Sequence, residues 1–210
     1  EEAVISVPAN FKDAARQATL DAAQIAGLRV PVLVPEPTAA AMAFGIQNLE
    51  VDERIIVFDF GGGTLDISLL QMCDGVIDVE RIDGDEHLGG TDFDDEIVAL
   101  VQKEFKDKHP GAKPNPMMEP ILRRECERAK IHLSSSTDAH IFVPAFAMRG
   151  NEPIAVSSML RRDLLERTVA GLLDRSTNCL RRMLNGDDKT RRVDPRSVSR
   201  VLMVGGSTYM

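Results

Sequence analysis

Three consecutive glycines, Gly61–Gly63, lie between two apolar runs and limit what this chain can fold into. Residues 55–60 (IIVFDF) and residues 64–72 (TLDISLLQM) have the composition of buried strands. A glycine loop can bring its backbone close to a polyphosphate and present successive N–H groups to an anion. Asp59 and Asp66 flank the loop, and carboxylates beside a phosphate require a cation such as Mg²⁺ between them. The segment predicts an anion site, against the alternative of a glycine-rich hairpin that only turns the chain.

Two common phosphate-binding loops do not fit this segment. The pattern GxxxxGK[ST] is absent, and a predicted strand rather than a helix follows the glycines. Both the P-loop and the dinucleotide fingerprint need a helix directly after the loop, because the helix N-terminus binds the phosphate. The sequence therefore indicates a strand–loop–strand phosphate site.

The charge of the chain is unevenly distributed, which bears on possible partners. The net charge is −8, with 22 acidic and 8 basic side chains in residues 1–110 and 11 acidic and 17 basic in residues 111–210. The second half mixes its arginines with acids on helix-like stretches, and the chain has one Tyr and no Trp for stacking on bases. Solvated helix faces are favoured over a nucleic-acid site. Nucleic acid is therefore not expected as a partner. No apolar run reaches the length of a membrane span, so a membrane is not expected as a partner either.

Three cysteines, Cys73, Cys126 and Cys179, lie far apart in the sequence. An odd and scattered set argues against a disulfide framework and for a reducing compartment, so a cytoplasmic location is predicted. No CxxC or HExxH pattern occurs, and a metal cluster built from side chains alone is not expected.

Strand and helix patterns alternate along the rest of the chain and predict a mixed α/β protein with an α+β insertion. Asn10 is the candidate N-cap of the first helix, and Asp74-Gly75 is a candidate hairpin turn. The pattern begins inside a strand and stops just after a glycine turn, so truncation at both ends is expected. Strands are predicted at 4–7, 30–34, 55–60, 64–72, 76–82, 137–148, 154–157 and 201–204, and helices at 11–26, 38–44, 93–105, 121–133 and 159–184.

Five motifs in order resemble the 70-kDa heat-shock chaperones, the DnaK-like family. They are PEPTAAA at 35–41, FDFGGGTLD at 58–66, HLGGTDFD at 87–94, CERAK at 126–130 and VGGST at 204–208. The resemblance covers essentially the whole chain. It implies the actin-like ATPase (ribonuclease H-like) fold, an α/β fold whose two lobes hold ATP or ADP and Mg²⁺ in a cleft.

The resemblance also implies an organisation and a set of site residues. Residues 1–50 resemble the end of the base of lobe I, residues 51–90 and 190–210 the base of lobe II with its phosphate and adenosine motifs, and residues 91–189 the upper subdomain of lobe II. Catalytic roles are implied for Glu36, Asp59, Thr64 and Asp66, with Asp59 near Mg²⁺, partly through water. Nucleotide contacts are implied for Gly61, Gly62, Gly63, Thr64, Glu127, Lys130, Ser134, Gly205, Gly206 and Ser207.

Some positions depart from the family pattern. Tyr209 stands where many members have an arginine near the adenine, Thr91 replaces an acid after two glycines, and Ile131 stands where some members stack an arginine on the base. The first phosphate loop and the catalytic lysine of the family find no match. The isolated chain is therefore expected to lack ATPase activity and to bind nucleotide weakly.

For the parent protein, the resemblance implies a chaperone that hydrolyses Mg-ATP to drive protein-folding cycles. Its implied partners are a nucleotide-exchange factor, a J-domain co-chaperone and unfolded client proteins, the last through a domain outside this chain. Two alternatives stay open. One is a sugar or acetate kinase on the same fold. The other is a non-catalytic interaction module whose upper subdomain binds an exchange partner.

Overall fold

The structure is a computed structural model that describes residues 1–44, 52–74, 76–186 and 191–210. The described residues form strands and helices that alternate in part, as a mixed α/β chain should. The strands are β1 Ile5–Val7, β2 Leu33–Pro35, β3 Glu53–Phe60, β4 Leu65–Cys73, β5 Val76–Asp85, β6 Lys113–Pro114, β7 Asp138–Arg149, β8 Glu152–Arg161 and β9 Arg200–Val204. The helices are α1 Asp13–Ile25, α2 Glu36–Ala43, α3 Gly90–Lys108, α4 Glu119–Leu133 and α5 Arg162–Asn185.

The chain divides into two compact units. Unit 1 consists of Glu1–Phe60, Thr64–Glu86 and Thr177–Gly205. Unit 2 consists of Gly61–Gly63, His87–Ser176 and Gly206–Met210.

Unit 1 is built on a four-stranded sheet in the order β5-β4-β3-β9. Strands β3, β4 and β5 form an antiparallel meander, and β9 runs parallel to β3. The sheet buries Ile55, Leu70, Met72 and Leu202 together with Ala41 of α2. Because alanine has a short side chain, α2 can approach the sheet closely. β1 and β2 form a separate parallel pair.

Unit 2 contains a three-stranded antiparallel sheet in the order β6-β7-β8, against which α4 packs. α3 packs on α4 in turn. The core between these elements includes Phe93, Leu122 and Ile141, all fully buried. Phe105 of α3 meets Phe146 of β7 edge to face, with ring centroids 5.1 Å apart, a favoured geometry for aromatic pairs.

The mixed α/β class is confirmed, and the strands on both sides of Gly61–Gly63 form the expected hairpin. The N-cap prediction is wrong: α1 begins at Asp13, and Asn10 belongs to the turn before it. α2 begins at Glu36, earlier than predicted, because proline at 37 is well suited to the first helical turn. The expected turn at Gly75 and the predicted boundaries at 50–51 and 189–190 fall on or beside residues outside the described ranges.

The helix predicted at 159–184 begins too early, because residues 159–161 belong to β8. Met159 is 58% exposed and Leu160 only 2%, an alternation of period two that identifies a half-buried strand. α5 then starts at Arg162 and continues as a single helix. Among the described residues, no helix combines the length and apolar character that crossing a membrane requires.

Two isoleucines of unit 1 provide a matched test of this core. Ile55 is 0% exposed in β3 and Ile25 is 88% exposed at the end of α1. We expect Ile55→Ala to lower the free energy of unfolding by about 2–5 kcal/mol, because it leaves a cavity. Ile25→Ala should change it by less than about 0.5 kcal/mol. Urea unfolding monitored by circular dichroism measures both, and equal effects would contradict the proposed core.

Candidate functional site

Two carboxylates of unit 1 face each other across the β3–β4 hairpin. The antiparallel register pairs Asp59 with Asp66, as it pairs Phe60 with Leu65 one step nearer the loop. Glu36, the first residue of α2, lines the same small cavity as both aspartates. Like charges on opposite strands are unfavourable, so this arrangement does not serve the stability of the sheet.

The environment of Glu36 and Asp59 favours the neutral forms of these two acids. Burial, followed by the charges of Asp59 and Asp66, raises the pKa of Glu36. Burial, followed by the charge of Asp66, raises the pKa of Asp59. Thr64 Oγ1 donates a hydrogen bond to Asp66 Oδ2 at 3.0 Å, which satisfies one acceptor site of this carboxylate. The carboxylates therefore carry unfavourable charge that a cation or a proton would relieve.

The cavity beside these acids has a volume of about 10 Å³. That volume accommodates about one water molecule. Its polar lining comes from the three carboxylates and the buried Ser68, and its apolar lining includes Pro8 and Val57. Such a cavity can hold one water molecule between several hydrogen-bond acceptors, which would orient its lone pairs.

The fit of Mg²⁺ to unit 1 can be judged from the chemistry of these groups. Carboxylate oxygens are the ligands that Mg²⁺ prefers, and this ion usually keeps several of its own waters. Within the described ranges, no group of three or more His, Cys, Asp or Glu is arranged to hold a metal directly. Because Mg²⁺ keeps several of its waters, Asp59 and the neighbouring carboxylates fit a hydrated Mg²⁺.

The carbonyl oxygens of the glycine loop accept hydrogen bonds from other residues of unit 2. Gly61 O accepts hydrogen bonds from Gly90 N at 3.0 Å and from Ser207 Oγ at 2.8 Å. Gly62 O accepts from Thr91 N at 2.7 Å and from Thr91 Oγ1 at 2.9 Å. These hydrogen bonds connect the loop to the first residues of α3 and to Ser207. They engage the carbonyl oxygens of both Gly61 and Gly62.

The N–H groups of the same loop are left for a ligand. Gly62 and Gly63 are exposed. Across the part of the chain that the structure describes, neither backbone N–H donates a hydrogen bond to protein. Free N–H groups on a glycine loop can form a binding site for an anion. This arrangement supports the predicted anion site over a hairpin that only turns the chain.

A cavity of about 440 Å³ lies in unit 2 beside this loop. Its volume is within the range of small-molecule sites. Residues that the sequence predicted as nucleotide contacts make up half of its lining: Gly62, Glu127, Lys130, Ser134, Gly206 and Ser207. The other half comprises Thr91, Ile131 and Tyr209, which the sequence marked as departures from the family pattern, and Gly90, Asp94 and Met210, for which it predicted no role.

Lys130 is the basic side chain in the wall of this cavity, and it is only 7% exposed. Its Nζ donates to Gly90 O at 2.6 Å and lies 2.8 Å from Asp94 Oδ1. Asp94 is 5% exposed, and burial raises its pKa although the close contact with the Lys130 ammonium opposes this shift. A buried aspartate–lysine pair thus borders the cavity.

Gly205 brings the end of β9 against the end of β3 in unit 1. Its φ is +87°, a conformation that residues with a side chain rarely adopt. A Cβ at this position would lie 2.3 Å from Phe60 O and 2.8 Å from Asp59 Oδ1. Glycine is therefore required here for both backbone conformation and space.

The predicted site residues fall into two sets. Glu36, Asp59 and Asp66 line one cavity in unit 1, where Thr64 donates a hydrogen bond to Asp66 and Gly205 leaves no room for a side chain beside Asp59. The remaining predicted residues belong to unit 2, where Gly61 binds Ser207 and the others, apart from Gly63, line the larger cavity.

Sequence reasoning missed Asp94 and Gly90, which both contact Lys130. The available signal was their spacing of four residues, which places them on one face of a helix, but the predicted helix began only at residue 93 and left Gly90 in the turn before it.

Comparison with known proteins gives the family. The Hsp70 protein family model matches residues 1–210, and the chain belongs to this family. The chain is similar to the chaperone protein DnaK of Mycoplasmoides gallisepticum (strain R(low / passage 15 / clone 2)), with 41% identity over 210 residues. The match covers 99% of this chain and 35% of the relative, so the chain spans about a third of that protein's length. The mixed α/β structure is consistent with part of the actin-like ATPase fold.

The first prediction from this site concerns Asp59. Its folded-state pKa lies above 3.8, so its charged form opposes folding at neutral pH, and the opposition is lost as the pH falls through the raised pKa. We expect Asp59→Asn to raise the melting temperature at neutral pH without added cation, with a gain that shrinks on acidification. Asp78→Asn, at an exposed position of β5, is the control. A lower melting temperature for Asp59→Asn in calorimetry would contradict the electrostatic argument.

The second prediction concerns Gly205 and its neighbour. Gly205→Ala should lower the free energy of unfolding by at least about 2 kcal/mol, because the methyl group meets backbone and φ is strained. A Cβ at Gly206 meets no atom within 4 Å, so Gly206→Ala should have little effect. Chemical denaturation of the two variants measures the difference. Equal stabilities would show that the close approach does not exist.

Proposed function

We propose that this chain binds an adenine nucleotide, ATP or ADP, with Mg²⁺, as part of the nucleotide-binding domain of an ATP-hydrolysing chaperone. One observation carries the proposal. The cavity of unit 2 brings the glycine loop, through Gly62, together with two motifs from distant parts of the sequence, through Glu127, Lys130 and Ser207. Membership of the Hsp70 family supports the same nucleotide.

The nucleoside is assigned to α4 and the glycine turn after β9. Glu127 and Lys130 are three residues apart on α4 and so share one face, and Ser134 follows at the C-cap. A carboxylate, an ammonium and a hydroxyl can together accept from and donate to the two hydroxyls of a ribose. Gly206 and Ser207 are assigned to the adenosine and the α-phosphate, together with Gly205 of the same turn.

The β- and γ-phosphates are assigned to the glycine loop. The free N–H groups of Gly62 and Gly63 support this assignment, as does the freedom of the loop to approach an anion without a Cβ. Gly61 belongs to the same loop, and the exposed hydroxyl of Thr64 is assigned to the γ-phosphate.

The acids of unit 1 are assigned to the hydrolytic step. Phosphoryl transfer is catalysed mainly by positioning and by neutralisation of charge. Asp59 and Glu36 would accept hydrogen bonds from the attacking water and fix its lone pair toward phosphorus, and the water-sized cavity beside them supports this role. Asp66 would add negative charge that holds a hydrated cation near Asp59. Mg²⁺, when bound, would neutralise charge on the phosphate oxygens.

For the whole protein we propose an ATPase-driven chaperone cycle with a nucleotide-exchange factor, a J-domain co-chaperone and unfolded clients. The domain assignment proposed for this chain is residues 1–50 to the base of lobe I, 51–90 and 190–210 to the base of lobe II, and 91–189 to its upper subdomain. A cytoplasmic location is proposed, supported by the unpaired thiols of Cys73, Cys126 and Cys179.

Binding of ADP by this chain tests the proposal. Addition of Mg-ADP to the ¹⁵N-labelled chain should shift amide resonances of the loop and of α4 in NMR spectra. Glu127→Ala should raise the Kd about tenfold, because one hydrogen bond to a charged group contributes roughly 1.5 kcal/mol. Arg128→Ala is the matched control, since Arg128 is exposed and does not line the cavity.

The titration can also contradict the proposal. If millimolar ADP shifts no resonance of Gly62, Lys130 or Ser207, the cavity does not bind this nucleotide. Equal Kd values for wild type and Glu127→Ala would remove the assigned role of Glu127 while leaving the nucleotide site itself intact.

A further inference from the structure

Two opposite charges are buried side by side in the wall of the unit 2 cavity. The relative exposures are 5% for Asp94 and 7% for Lys130, and their charged atoms lie 2.8 Å apart. Asp94 Oδ1 makes no hydrogen bond of regular geometry to any described residue, so its close contact with the Lys130 ammonium is what offsets the burial of this carboxylate. Both residues line the cavity, so this pair faces the space that a ligand would occupy.

A count of donors indicates what the ammonium can still do. A lysine ammonium has three N–H donors and no acceptor. One donates to Gly90 O at 2.6 Å, and a second is directed by the charge of Asp94. At least one N–H is then left for a group inside the cavity, on an ammonium held between Gly90 O and Asp94.

Both acceptors come from one helix. Gly90 is the first residue of α3, and Asp94 follows four residues later, one turn along the same face. The N–H groups at this end of α3 bind the carbonyl oxygens of the glycine loop. Lys130 of α4 is therefore held against the same end of α3 that anchors the loop.

We propose that Asp94 is a positioning residue that holds the Lys130 ammonium for the sugar hydroxyls of the bound nucleotide. This inference rests on the proposed function, because it concerns the nucleoside part of the same cavity. A buried ion pair is weak evidence for stability, since desolvation offsets much of the attraction. Its location in a cavity wall instead favours a role in orienting the lysine.

The first experiment needs no nucleotide. The protein is labelled briefly with acetic anhydride, and acetylation of Lys130 is measured by mass spectrometry relative to the exposed Lys103. Asp94→Asn should raise the relative labelling of Lys130 about tenfold, the factor for one lost charge-assisted contact. Asp95→Asn, at an exposed position that pairs with Arg123, should leave it unchanged. Unchanged labelling in Asp94→Asn would overturn the inference.

The second experiment compares the Kd of ADP with that of 2′,3′-dideoxy-ADP. Wild type should prefer ADP by about a hundredfold, the value of two charge-assisted hydrogen bonds, one from Glu127 and one from Lys130. Asp94→Asn should lower the ratio to about tenfold, because the contact of Glu127 remains, while the Kd of the dideoxy compound stays within about twofold of wild type. Asp95→Asn should keep the wild-type ratio. If Asp94 only supports the fold, both Kd values will rise together and the ratio will persist, which overturns the inference.

The two experiments separate this inference from the proposed function. Failure of wild type to bind ADP would refute the proposed function, whereas the labelling result would still report on the Asp94–Lys130 contact. If Asp94→Asn does not fold, Asp94→Glu replaces it, because glutamate keeps the charge but moves the carboxylate by one methylene. A wild-type nucleotide ratio in Asp94→Glu would then count against positioning, and a reduced ratio would support it.

Discussion

The hydrogen bonds from the start of α3 to the carbonyl oxygens of the glycine loop hold that loop in place within unit 2. The first N–H groups of a helix have no partner within the helix. At α3, Gly90 N and Thr91 N find their acceptors in Gly61 O and Gly62 O. One set of contacts thus caps the helix and fixes a glycine segment whose ordering costs more entropy than that of any other residue type. Because the carbonyls are engaged, the N–H side of the loop remains available to an anion.

In unit 1, by contrast, the arrangement of the acidic side chains lowers the stability of the sheet. Asp59 and Asp66 are direct neighbours across two strands, and Glu36 adds a third carboxylate to the same cavity. A sheet selected only for stability would avoid this arrangement. Groups held in unfavourable electrostatic surroundings are common at catalytic sites, where the strain is relieved when substrate or ion binds. The raised pKa values of Glu36 and Asp59 are consistent with such a role.

Much of this arrangement follows from the sequence, and the exceptions have physical reasons. A four-residue loop closed by Phe60 and Leu65 fixes the register that places Asp59 opposite Asp66, so local spacing was sufficient. The predicted start of α5 at residue 159 is wrong because the apolar residues at the junction of β8 and α5 fit the pattern of a strand as well as that of a helix. The contact between Asp94 and Lys130 depends on how α3 packs against α4, and no local pattern specifies that packing. The roles predicted for the nucleotide contacts rest on the order of five sequence motifs that resemble a known family, because the spacing of residues within a motif does not define a role.

The side chain of Tyr209 can report on a ligand in the unit 2 cavity. It is the single tyrosine of a chain without tryptophan, it lines the unit 2 cavity, and it is 79% exposed. Its phenol ring is consequently the dominant source of intrinsic fluorescence, located where a ligand would alter its surroundings. Occupancy of the cavity can therefore be followed by ultraviolet emission from the unmodified protein, with no dye attached.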